Sequence, residues 1–133
     1  MVRPVKKLIK LSKNPSNDEI VKKILAKFKQ YASKYGSFYV GITVDANKRL
    51  KQHEAKLKKA GLPGWQKCYI LWETSSDNRV KAIEKEVIAE VRKKYTTTAW
   101  NLIGGGTGRP PNNATKAVCY ALLDEKETIW EYK

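Results

Sequence analysis

A chain of 133 residues, 41% of them hydrophobic, has the length of one domain and the apolar content for one core, which excludes a multi-domain machine. Its 27 Lys and Arg against 13 Asp and Glu leave a net charge of +14, a self-repulsion that folding does not require and a polyanionic partner would relieve. Nucleic acid is expected over a membrane, because no apolar run approaches the length of a spanning helix. The segment VKKLIKLSK interrupts its apolar residues with lysine, unlike a signal peptide. An intracellular location is therefore expected, the cytoplasm or, in a eukaryote, the nucleus. Cys68 and Cys119 form no CxxC pair and the chain has one histidine, so the usual structural zinc ligands cannot be assembled. Both cysteines are expected in buried strands of a reducing compartment.

Residues 1–15 carry Arg3, Lys6, Lys7, Lys10 and Lys13 without an acid. They read as a basic arm that orders only on its ligand, if at all, or as a solubilising tail. Residues 16–133 then form a single domain. Ser16 followed by Glu19 is a capping box, and Ile20, Ile24, Phe28, Tyr31 and Tyr35 keep a helical period until Gly36 stops it. The first helix is predicted over about 17–35. FYVGIT, 38–43, is a strand, and Asp45 caps a second helix ending at Gly61, with GLPG as the turn out of it. WQKCYILWE, 65–73, is strand-like and runs into a Ser-Ser-Asp-Asn cluster that starts a third helix over about 78–95. After a glycine-rich loop, AVCYALL and TIWEY read as two strands joined by a polar turn. These elements predict an α+β domain: a small three-stranded or larger mixed or antiparallel sheet flanked by helices, with a basic arm and helix before it and a pair of strands at its C-terminal side.

Two polar residues fall where apolar ones are expected. On the second helix, at 100° per residue from Ala46, Leu50, Leu57 and Ala60 form an apolar stripe. His53 lies inside it at about −20° and Arg49 at its edge at about −60°. His53 is either a core histidine satisfied by one hydrogen bond or a site residue, and Arg49 taken alone is a flank residue with a wet head. On the third helix, measured from Ile83, the residues Val87, Val80, Val91 and Ile88 span about 40° to 140°, and Glu84 sits among them at about 100°. An unpaired buried carboxylate neutralises or finds a cation. Arg49 or a divalent metal would serve, and a structural Arg–Glu pair is the simpler alternative.

Taken together, Tyr39-Val40-Gly41-Ile42-Thr43, Arg49 ten residues after the tyrosine and His53 four later resemble the second half of the GIY-YIG nuclease signature. The later run Val80, Ile83-Glu84, Val87-Ile88 and Asn101 before a glycine turn resembles that family's metal-binding helix and its trailing asparagine, so the likeness covers Phe38 to about Gly108. The resemblance implies hydrolysis of phosphodiester bonds with one Mg2+ or Mn2+ ion. Glu84 would hold the metal and Arg49 the scissile phosphate. Tyr39 would orient or help deprotonate the water, His53 would assist proton transfer and Asn101 would brace the site. Each role has a physical basis in fixed cations, a poised base, a planar guanidinium and a hard oxygen ligand. The family's first motif, Gly-Ile-Tyr about ten residues upstream of the second tyrosine, has no counterpart here. That position falls in FKQYASKYG, inside the first helix, where Tyr31 and Tyr35 are either substitutes or core residues.

Lys48, Lys56 and Arg109 are expected to contact substrate. The run Gly104 to Arg109 lacks the ending of a P-loop, so it is either a flexible turn or a set of exposed amides meeting a nucleic-acid backbone. Trp65, Trp72, Trp100 and Trp130 could stack bases, but strand packing suffices for most of them. The expected partner is double-stranded DNA, with RNA left open and a homodimer compatible with cutting two strands. A scaffold that binds nucleic acid without cleaving it, and a protein that binds an acidic protein partner, are the competing readings.

Overall fold

The computed structural model describes residues 3–61, 64–95 and 117–124. The chain order is β1 (Pro4–Lys6), α1 (Asn17–Lys34), β2 (Ser37–Thr43), α2 (Ala46–Lys59), β3 (Lys67–Thr74), α3 (Asp77–Lys94) and β4 (Ala117–Asp124). The strands form one mixed sheet in the order β1-β3-β4-β2, with β4 antiparallel to both neighbours and β1 parallel to β3. The architecture is the expected α+β. The predicted TIWEY strand, residues 128–132, lies outside the described residues. Among the described residues no helix is long and apolar enough to cross a membrane.

Strand alternation divides the apolar residues between the two faces. One face turns Phe38, Val40, Ile42, Leu71, Cys119, Ala121 and Leu123 toward α1 and α3, where Ile20, Ile24, Phe28, Val80, Ile83 and Val87 meet them. The other turns Tyr39, Cys68, Tyr120 and Leu122 toward Leu50 and Leu57 of α2 and toward Trp65. Every residue of β4 is buried, as a strand with partners on both edges and packing on both faces must be.

Three local expectations are corrected. The capping box is half made: Ser16 accepts from the Glu19 amide at 3.1 Å, but the Glu19 carboxylate turns away to the amide and hydroxyl of Ser12, both at 2.7 Å. Gly36 is not the stop of α1. Tyr35 ends the helix in an extended conformation (φ −116°) that leads straight into β2, and among the described residues Gly61 alone has a positive φ. The basic arm, expected to order only on a ligand, is paired within the chain. β1 matches Pro4 to Cys68 and Lys6 to Ile70, and the amides of Lys7 and Ile9 donate to the carbonyls of Ile70 and Leu71 at 2.9 Å. Ile9, 8% exposed, anchors it. Lysines suit an edge strand because their heads remain in water.

Candidate active site

Helix α2 begins where Asp45 accepts from the Lys48 amide at 3.1 Å and ends at Gly61, whose φ of 73° suits a residue without Cβ. Its apolar stripe seats Leu50 and Leu57 on the sheet, and the same face carries Arg49 and His53 to the two tyrosines beneath. The rings of Tyr39 and His53 meet edge to face at 4.7 Å between centroids. His53 Nε2 is 2.9 Å from the hydroxyl of Tyr120, and the Arg49 guanidinium is hydrogen-bonded to the hydroxyls of Tyr120 and Tyr39 and donates to Gln52 Oε1 at 3.1 Å. Two tyrosines, an arginine and a histidine thus converge from β2, β4 and α2.

Glu84 approaches from α3, on the other side of the sheet. Its carboxylate lies near enough to Tyr39 and Cys119 to raise the pKa of each, although burial is the larger cause for both. Glu84 Oε2 is buried and accepts no hydrogen bond, and Glu84 makes no ion pair among the described residues. The simple Arg–Glu pair is therefore not what these residues form. Burial pushes the Glu84 carboxyl up to about 7. His53 moves the other way, down to about 4, first through burial and then through the charges of Arg49 and Lys56. The imidazole is neutral at neutral pH, with a lone pair for a proton. The thiols of Cys68 and Cys119 are pushed up to about 12 by burial, as inert strand cysteines should be.

Gly41 explains the spacing of Tyr-Val-Gly. It faces the same side as Tyr39 and lies opposite Tyr120 in the β2–β4 ladder. A Cβ at this position would stand 2.7 Å from the Tyr120 hydroxyl and 2.8 Å from Cζ, so the bare backbone is what lets that ring cross β2. Gly41→Ala is expected to push Tyr120 off His53 and to cost about 1–3 kcal/mol of overpacking. Urea unfolding measures the cost, and an unchanged midpoint would mean that the ring can move aside.

A model of the GIY-YIG catalytic domain matches residues 29–96, half of the chain. The chain belongs to the GIY-YIG family. Neither a curated protein nor a solved structure gives a match. GIY-YIG membership implies a nuclease-type function on nucleic acid, and the family is generally dependent on a divalent metal.

Of the residues singled out from the sequence, the structure brings Tyr39, Arg49 and His53 together and sets Glu84 within electrostatic reach of Tyr39. Lys48 and Lys56 are exposed on α2, with Lys56 close enough to act on His53. Asn101 and Arg109 lie outside the described residues, as do Trp100 and Trp130. Trp65 and Trp72 are buried, not base-stacking surfaces. Tyr31 and Tyr35 belong to the core on the opposite face. The residue not anticipated is Tyr120. Its local signal is a Val-Cys-Tyr triplet within a strand, and nothing in that triplet indicates which strand it will pair with.

The donor set suits a hard divalent cation. Glu84 offers a buried carboxylate oxygen without a partner, and Mg2+ or Mn2+ is commonly held by one or two carboxylates, with water and phosphate oxygens completing the shell. No group of three or more His, Cys, Asp or Glu that could form a full protein cage occurs among the described residues.

Proposed function

We propose that this GIY-YIG domain is a metal-dependent endonuclease that hydrolyses phosphodiester bonds in double-stranded DNA. The observation that carries this reading is the convergence of Tyr39, Tyr120, Arg49 and His53 beside an orphaned buried carboxylate. Glu84 would hold Mg2+ or Mn2+, which when bound supplies positive charge against the phosphate and its leaving oxygen. Arg49, with its donors directed by two hydroxyls, grips the non-bridging oxygens of the scissile phosphate, where charge grows in the transition state. Tyr39 orients the attacking water. As the water oxygen bonds to phosphorus, its proton passes to the Tyr120 oxygen while the Tyr120 proton passes to His53 Nε2, and the bond from phosphorus to the leaving oxygen breaks. Neutral His53 is able to accept that proton, and neither tyrosine has to ionise beforehand. Lys48 and Lys56 flank the site as backbone contacts.

Tyr120 also accounts for the absent first motif. Strands β4 and β2 pair antiparallel with Asp124 opposite Ser37. A two-residue hairpin turn between those ends would put Tyr120 about nine residues ahead of Tyr39, close to the family's offset. On this reading the chain order is rotated, and the strand that should precede Tyr-Val-Gly is supplied from the C-terminal side as Val118-Cys119-Tyr120.

Incubation with supercoiled plasmid tests the proposal. Nicked or linear product is expected with Mg2+ or Mn2+, and none with chelator or with Glu84→Ala. Wild type as inert as Glu84→Ala in both metals, while still binding DNA, would identify a scaffold that binds without cutting.

A further inference from the structure

Three tyrosines not used by the site meet on the sheet face opposite Tyr39 and Tyr120. The Tyr31 ring lies 6.1 Å from that of Tyr35 and 6.1 Å from that of Tyr69. Three lysines gather on two of these rings. Lys34 Nζ and Lys67 Nζ stand 5.7 Å and 5.4 Å from the centroid of the same ring, Tyr35, and Lys7 Nζ stands 5.9 Å from that of Tyr69. Lys67 also donates to the Tyr35 hydroxyl at 3.0 Å. Lys7 and Lys34 are exposed, and Lys67 is partly so. Neither the Lys6–Glu73 nor the Lys94–Glu90 ion pair involves these three lysines.

Crowding like charges costs free energy, and an exposed cation–π contact returns only about 0.5–1 kcal/mol. Solvated lysines alone would gain more by spreading apart, each keeping about 2 kcal/mol of rotamer entropy. Here rings and hydroxyls fix the ammonium groups in advance, which lowers the cost of binding an anion that spans them. Tyr31 and Tyr35 are 7% and 5% exposed, too buried to stack on bases, so the surface offers charge without base readout.

We propose that Lys7, Lys34 and Lys67, seated on Tyr35 and Tyr69, form a second contact surface for a nucleic-acid backbone. It rests on nucleic acid being the substrate class of the site described above, but not on cleavage. These lysines stand on the sheet face opposite Tyr39 and Tyr120, the face from which Glu84 approaches.

Equilibrium binding of a fluorescein-labelled DNA duplex across a salt series provides the test. The variant Lys7→Ala/Lys34→Ala/Lys67→Ala is compared with Lys22→Ala/Lys85→Ala/Lys93→Ala, which removes the same charge from exposed positions elsewhere. The first is expected to lower the slope of log K against log salt by roughly 2–3, at about 0.9 for each phosphate that is no longer neutralised, and the second by less than about 1. Circular dichroism verifies that both variants fold. Equal reductions in the two variants would overturn the proposal, since the lysines would then act only through net charge. Wild type that binds no duplex at low salt would also overturn it and would favour an acidic protein partner. Binding with the expected slopes but without plasmid cleavage would remove the catalytic reading and leave this surface standing.

Discussion

Glu84→Gln is expected to abolish cleavage and to make the protein more stable. Loss of the anionic oxygen should reduce the rate on the order of 10²–10³-fold or more, comparable to removing a preorganised charge-stabilising group. The stability gain follows from the carboxyl raised to about 7 from an unfolded value of 4.5. A folded-state pKa above the unfolded one contributes stability below pH 4.5 and loses it as pH rises through 7. Above pH 7 the wild type keeps a buried charge that glutamine does not. With solvent screening taken into account, the variant should gain about 1 kcal/mol, or roughly 4 °C in Tm, at pH 8 in chelator. His53 has the opposite sign, since its depressed pKa removes stability as pH falls from 6.5 toward 4, so the two contributions separate along the pH axis. Added Mg2+ should raise the Tm of wild type at pH 8 and leave the glutamine variant unmoved. A variant that cuts plasmid would remove Glu84 from the metal role, and one no more stable than wild type at pH 8 would mean that burial does not raise its carboxyl.

Tyr120→Phe should be nearly as damaging to activity, by about 10²–10⁴-fold in kcat, with KM little changed because Arg49 still meets the phosphate. If the hydroxyl and His53 form one relay, Tyr120→Phe combined with His53→Ala should be no slower than the worse single variant. Full additivity would separate them, and a Tyr120→Phe enzyme as fast as wild type would end the case for a rotated signature. The nitrogen shift of His53 Nε2 supplies a readout that does not need turnover. It should move toward that of a free imine in Tyr120→Phe and stay in place in Tyr35→Phe.

The helices were legible because their signals are local. Ser16, Asp45 and Ser76 each accept from the amide three residues on, and the apolar period of each segment matches the face it buries. Glu84 was legible as a misfit, a charge among valines that packing alone could not justify. Arg49 and His53, one turn apart on the edge of a leucine stripe, were legible in the same way. What stayed hidden depends on pairing between distant segments. The basic arm has the composition of a tail, and only the open edge of β3 makes it a strand. Tyr120 sits in a segment of ordinary strand character, and its importance comes from lying across β2 opposite Gly41. The glycine was visible in the sequence, whereas the ring that requires it was not.

The sheet order has a consequence for how the protein comes into being. β4 follows every other described element along the chain, yet it is the strand that separates β3 from β2. Until it emerges from the ribosome, β2 has no ladder partner and β3 has one edge open, an arrangement prone to pairing with other chains. Its insertion closes contacts of long sequence separation, the kind that form slowly. The same event delivers Tyr120, so a nascent chain carrying Tyr39, Arg49, His53 and Glu84 still lacks one hydroxyl of the pair proposed to act on water. Synthesis order thus delays the proposed site until the sheet that supports it is complete.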